Sequence, residues 1–186
     1  MKEIAIIGST ASGKTALSLQ IASITNSIIL SLDSLCVYKD IEIASAKPTL
    51  EERGDIVHFG IDEVFPNVDF DVIKFIELYK KTKDYALKNG KNLIIVGGTG
   101  FYLKALIEGL SQGVDSKIKL DIPQDEAYDL LYSLDKEYMK KIEKNDRYRI
   151  EKAYAIYKQT DLSPTSYFEK NPKIPVAKDL KIFEIL

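Results

Sequence analysis

The run Ile4-Ala5-Ile6-Ile7-Gly8-Ser9-Thr10-Ala11-Ser12-Gly13-Lys14-Thr15 carries the clearest chemistry in the chain. Gly8 and Gly13 bracket Ser9, Thr10, Ala11 and Ser12, and Lys14-Thr15 follow, which is the spacing of a loop whose consecutive backbone N–H groups wrap a diphosphate. Each residue type has a use there. Glycine lets the backbone turn and approach phosphate closely, Lys14 brings a point charge, and the Thr15 hydroxyl suits Mg²⁺. The helix that begins at this point adds its positive end. The expected diphosphate cradle is therefore Gly8, Ser9, Thr10, Ala11, Ser12, Gly13, Lys14 and Thr15, with Thr15 as the metal contact. Further along, Asp33 follows a second apolar run, and Gly97-Gly98-Thr99 follow a third. A carboxylate and a hydroxyl at these strand ends fall at the edge where open α/β sheets bind their ligands.

These residues need a scaffold that brings three loops to one edge. Ile4–Ile7, Ile28–Leu32 and Asn92–Val96 read as continuous apolar strands, as parallel sheets with both faces covered require. Ligands of such sheets bind outside the carboxyl ends of the strands, where all three loops fall. Between the strands, Ala16 to Ile24 and Val72 to Leu87 show helical spacing, the second with Asp69 or Asp71 as cap and Asn89-Gly90 as stop. The segment from Asp33 to Pro48 has no sustained period and reads as a long functional loop. Val57–Ile61, which carries His58, and Leu180–Leu186 read as two further strands, and Phe101–Glu108 as a helix.

Past Gly109 the strands give way to short helical patterns rich in Lys, Asp, Glu and Tyr. The expected organisation is a P-loop NTPase-like α/β core of parallel sheet and flanking helices over 1–110, a small helical insertion over 111–160, and a return to the core over 161–186. Within the insertion Lys136, Lys140, Lys141, Lys144, Arg147, Arg149 and Lys152 outnumber the acids Glu137, Glu143, Asp146 and Glu151. That local excess fits a phosphate-contacting surface or an ordinary solvated helix. His58 and the tyrosines Tyr138, Tyr148, Tyr154 and Tyr157 read first as packing residues.

The whole chain, 186 residues with net charge -2, gives no general attraction to nucleic acid or membrane, so such contacts must be local. The apolar run at the N-terminus is too short for a signal peptide or membrane span. A single cysteine, Cys36, allows no internal disulfide. A soluble, cytoplasmic monomer is expected.

Several motifs, taken in order, resemble the tRNA dimethylallyltransferase family. They are Gly8-x-Thr10-Ala11-Ser12-Gly13-Lys14-Thr15, Asp33-Ser34-x-x-x-Tyr38 with Ala46-Lys47-Pro48, Val96-Gly97-Gly98-Thr99-Gly100-x-Tyr102-x-Lys104-Ala105-Leu106, and Asn145-Asp146-x-x-Arg149-Ile150. Departures exist. Ala44-Ser45 stands where the family usually has Gly-Thr, Lys152 where it usually has arginine, and the helical insertion is short. The family continues past the last strand into a long helical stretch, so the chain is expected to be truncated.

The resemblance implies transfer of a dimethylallyl group from dimethylallyl diphosphate, with Mg²⁺, to N6 of the adenosine just 3′ of the anticodon in the tRNA anticodon stem-loop. It implies Asp33 and Thr99 as catalytic residues, and Asp33, Ser34, Leu35, Cys36, Thr99, Tyr148, Arg149 and Lys152 as tRNA contacts. An adenine amino group is a weak nucleophile that a carboxylate acceptor would assist. Two other enzyme readings share the P-loop: a small-molecule kinase with Asp33 as base, and an adenylate isopentenyltransferase. A nucleotide-dependent switch is a further alternative. Against the kinase, the third strand runs into Gly97-Gly98-Thr99 with no acidic residue to support Mg²⁺.

Overall fold

Unbroken apolar runs form strands when helices cover both faces of a sheet. The computed structural model, which describes residues 1–41, 47–98, 100–111, 113–114 and 118–186, shows a sheet of five strands. They are β1 (Glu3–Gly8), β2 (Ser27–Ser31), β3 (His58–Phe59), β4 (Asn92–Gly97) and β5 (Lys181–Ile185). All pair in parallel, in the order β3-β2-β4-β1-β5. In register, Ile6 lies beside Val96 and Leu30 beside Ile95. This is the P-loop NTPase-like α/β fold that the sequence predicts.

By its internal contacts the chain divides into two units, Met1–Glu108 with Pro175–Leu186, and Gly109–Ile174. The first holds the sheet with α1 (Lys14–Thr25), α2 (Leu50–Arg53), α3 (Val72–Lys88) and α4 (Phe101–Glu108). Helix α1 starts from the P-loop without a side-chain cap and stops at Asn26 in the left-handed conformation. The first turn of α3 is closed by Asp71, whose Oδ1 accepts the N–H groups of Ile73 and Lys74, both at 3.0 Å. Phe75, Ile76, Leu78, Tyr79 and Ala86 then recur at helical spacing and are buried. On the other side of the sheet Ile6, Ile29, Ile94 and Val96 pack with Ala22 of α1.

Two expectations change in this unit. The strand predicted over 57–61 is only His58–Phe59, because Gly60 turns its N–H to the Glu63 carboxylate at 2.9 Å instead of extending the ladder. Helix α2 lies in a stretch with no predicted helix. Its signal is a capping box: Thr49 Oγ1 accepts the Glu52 N–H, and Glu52 Oε2 accepts the Thr49 N–H.

The second unit contains α5 (Gln124–Leu134), α6 (Lys136–Met139), α7 (Arg147–Thr160) and α8 (Pro164–Lys170). Its core is Ala127, Tyr128, Leu131, Met139, Ile142, Ile150, Ala153 and Tyr154. The segment 161–174, expected to return to the core, stays in this unit. Buried Asp135 explains why: its carboxylate accepts the N–H of Tyr138 and both the N–H and hydroxyl of Thr165, the N–H at 2.7 Å. Tyr138 and Phe168 add a stacked ring contact. Burial alone would push the Asp135 carboxyl up, but these donors outweigh it and hold it below the usual aspartate range. An antiparallel bridge between Leu110 and Ile174 joins the two ends of the unit.

Candidate functional site

The carboxyl ends of β1, β2 and β4 open on one cavity of about 270 Å³. The P-loop contributes Gly8, Thr10, Ala11, Lys14 and Thr15, the loop after β2 contributes Asp33 and Cys36, and β4 contributes Val96 and Gly97, with Gly98 just beyond it. Ser18, Ile29 and Ile61 form its inner wall together with His58, which the strand register sets beside Ile29.

Local geometry explains the loop sequence. A Cβ on Gly8 would lie 2.8 Å from the Ile185 carbonyl oxygen and 2.9 Å from Ser12 Oγ, so the loop passes β5 too closely for any side chain. Ala11 sits at φ 63°, a strained conformation for a residue with a Cβ. The first N–H groups of α1 have no intrahelical acceptor and are available to an anion. The Lys14 ammonium donates to the Ser9 carbonyl across the loop. Ser12 Oγ is buried with no hydrogen-bond partner among the described residues. Gly97 meets a second tight approach, since a Cβ there would lie 2.6 Å from the Cβ of Leu32.

Asp33 is exposed, and its Oδ1 accepts the Leu35 N–H at 2.8 Å, so it does close the following turn. Among the described residues no hydrogen bond reaches its other oxygen. Ser34 and Leu35 are exposed beside it, whereas Cys36 is buried. Burial first, and then the Asp33 charge, push the Cys36 thiol up to about 11, so it stays protonated and unreactive. His58 Nδ1 lies 2.7 Å from the Ile56 carbonyl, which requires the proton on Nδ1; burial depresses its pKa and keeps the ring neutral.

Thr99 lies outside the described residues, as do Ala44, Ser45 and Ala46. Lys47 is described, and it makes contacts that spacing did not reveal: Nζ donates to the Tyr38 carbonyl and to Asp62 Oδ1, each at 2.6 Å.

In the second unit, Tyr148, Arg149 and Lys152 sit in the first turns of α7. Tyr154 is buried and Tyr138 and Tyr157 are half-buried, as packing residues should be, but Tyr148 is 70% exposed. The Lys152 ammonium stands 5.5 Å from the centre of its ring. Arg149 pairs with Asp146, Arg147 with Glu151 and Lys144 with Asp129, so part of the basic excess is already balanced. Surface pairs of this kind each contribute little to stability.

Thr15 is exposed at the cavity and offers a hydroxyl. No group of three or more His, Cys, Asp or Glu side chains capable of holding a metal occurs among the described residues. The Thr15 hydroxyl is a hard oxygen donor of the kind that Mg²⁺ takes alongside substrate phosphates and water. No helix among the described residues is long and apolar enough to cross a membrane.

Comparison with known proteins gives a consistent result. The model of the family described as IPP transferase matches residues 36–185. A tRNA dimethylallyltransferase of Aliarcobacter butzleri is 84% identical over 186 residues, covering 100% of this chain and 64% of that protein. Its counterpart in Campylobacter curvus is 49% identical, covering 99% and 62%. Among solved structures, a eukaryotic dimethylallyltransferase acting on tRNA superimposes with a TM-score of 0.84 at 28% identity, covering 100% of this chain and 48% of that one. The tRNA isopentenylpyrophosphate transferase of Staphylococcus epidermidis gives 0.60 at 32%, covering 97% and 62%. The chain thus spans less than two thirds of the length of these relatives.

Proposed function

The chain belongs to the IPP transferase family, and from that membership we propose that it transfers a dimethylallyl group from dimethylallyl diphosphate to N6 of the adenosine 3′ of the anticodon in tRNA. The observation that carries the reading is the convergence of the P-loop and Asp33 on one cavity. The adenine N6 lone pair attacks C1 of the allyl group, the C1–O bond breaks, and diphosphate leaves. The P-loop N–H groups and Lys14 hold the charge that develops on the leaving group. When bound at Thr15, Mg²⁺ would share that charge.

Asp33 accepts the N6 proton on the oxygen that Leu35 leaves unused. The same acceptor favours adenine's N6 donor over guanine's O6. Ser34 and Leu35 flank the acceptor base, and Tyr148, Arg149 and Lys152 offer a ring and cations to the anticodon stem-loop, whose bases can splay out and stack. In this reading the protein works as a cytoplasmic monomer, and its single cysteine fits a reducing compartment.

The test is incubation with dimethylallyl diphosphate, Mg²⁺ and unmodified tRNA, followed by mass spectrometry of the digested nucleosides. Prenylated adenosine is expected. Prenylation of free adenylate but not tRNA, or phosphoryl transfer from ATP to a small alcohol, would overturn the reading.

A further inference from the structure

A continuous chain of hydrogen bonds leads from the Asp33 carboxylate to a buried lysine. Asp33 Oδ1 accepts the Leu35 N–H at 2.8 Å. The Leu35 carbonyl accepts the Tyr38 N–H at 3.3 Å, and the Tyr38 carbonyl accepts from Lys47 Nζ at 2.6 Å. The side chain of Lys47 is 1% exposed, so its charge has almost no water and depends on protein partners. One partner is Asp62, at 2.6 Å. Asp62 closes the circuit, because its own N–H donates to the Cys36 carbonyl at 3.0 Å. It does so from a left-handed conformation, φ 57°, that aspartate tolerates better than most residues.

Arg53 completes the cluster. Its Nε donates to the Pro48 carbonyl at 2.7 Å, and its guanidinium lies 3.7 Å from the second oxygen of Asp62. Glu63 and Val64 N–H groups also donate to the Val37 carbonyl, so residues 36–38 are zipped to 62–64 on one side and pinned by Lys47 on the other. A loop with no helix or strand of its own gains a fixed shape in this way. An all-apolar packing would hold the loop as firmly, since replacing a buried ion pair often costs nothing in stability. The arrangement has a different consequence: it fixes the direction in which the Asp33 turn faces.

We infer that Lys47, held by Asp62, is a positioning residue that sets the orientation of Asp33 for proton acceptance. The inference rests on the prenyl-transfer reading given above. Lys47 is not among the residues that line the cavity, and its effect on Asp33 runs through Tyr38 and Leu35.

The experiment compares single-turnover prenyl transfer and dimethylallyl diphosphate affinity for wild type, Lys47→Met, Asp33→Asn and the double variant, each completed to the full length of the Aliarcobacter butzleri relative. Displacing the base by about 1 Å is expected to slow transfer about 10²-fold. Diphosphate affinity is unchanged, and Lys47→Met adds nothing to Asp33→Asn, because the group it positions has already lost its function. Asp62→Asn, which keeps size and tolerance of the left-handed conformation, is expected to show the same pattern and serves if Lys47→Met does not fold. Hydrogen exchange without ligand gives a second readout: the Leu35 and Tyr38 amides exchange faster in either variant. Equal slowing by Lys47→Met in both backgrounds, or wild-type exchange at those amides, overturns the inference and leaves the reading intact. A wild-type protein that binds dimethylallyl diphosphate but transfers nothing to tRNA overturns both.

Discussion

Lys14 is the plainest residue in the site. An ammonium has three donors, so it can keep the Ser9 carbonyl and still reach a phosphate oxygen. Lys14→Ala is expected to weaken dimethylallyl diphosphate binding by roughly 1.5–3 kcal/mol, the usual worth of a charged hydrogen bond. Thermal stability without ligand should hardly move, and calorimetry with a melting curve checks both halves. A matching loss of stability would make the lysine structural. Residues of this sort are legible in sequence because glycine spacing and a following Lys-Thr are consecutive. The Lys47–Asp62 pair was not legible, since its members come from different segments and meet only when residues 36–38 run beside 62–64. His58 is intermediate: a lone histidine in an apolar stretch reads as packing, and only the pairing of Ile29 with His58 sets it at the cavity wall.

Elements form where local and tertiary signals agree, as in α3, where the Asp71 cap and the apolar face gave nearly its full length in advance. Strand β3 failed because apolar content cannot report that Gly60 turns out of the ladder. Helix α8 shows the same limit, because its attachment depends on Asp135, whose partner Thr165 is far away in sequence. That attachment is expected to be pH-sensitive. The folded pKa of Asp135 lies below its unfolded value, so its contribution to stability is full above about pH 4 and is lost as the pH falls through the folded pKa. Asp135→Asn should therefore be less stable than wild type at neutral pH, with the gap closing in acid, as denaturation at a series of pH values would show. A constant gap would contradict the assignment. On α7 the expectation concerns RNA. If Arg149 leaves Asp146 for a phosphate, Arg149→Ala weakens tRNA binding and flattens its salt dependence by about one unit. An unchanged affinity and salt slope would make the α7 face a solvated one.

For the molecule as a whole, the P-loop cavity lies entirely within Met1–Glu108 with Pro175–Leu186, whereas Tyr148, Arg149 and Lys152 belong to Gly109–Ile174. The fold class was readable because parallel strands announce themselves as continuous apolar runs; where the helical unit ends was not, because it follows from contacts such as Leu110 with Ile174. The central claim is that chemistry is done in the cavity with Asp33 as the proton acceptor. Asparagine keeps the size of the side chain and an oxygen for the Leu35 N–H, so Asp33→Asn preserves the turn while removing the base. The most direct measurement is single-turnover prenyl transfer to tRNA by wild type and Asp33→Asn, each completed to the full length of the Aliarcobacter butzleri relative. Transfer by the variant should fall by about 10²–10⁴-fold, the range for losing a positioned acid–base group, with diphosphate and tRNA binding retained. Transfer at a near-normal rate would contradict the account and pass the proton to water or to the tRNA itself.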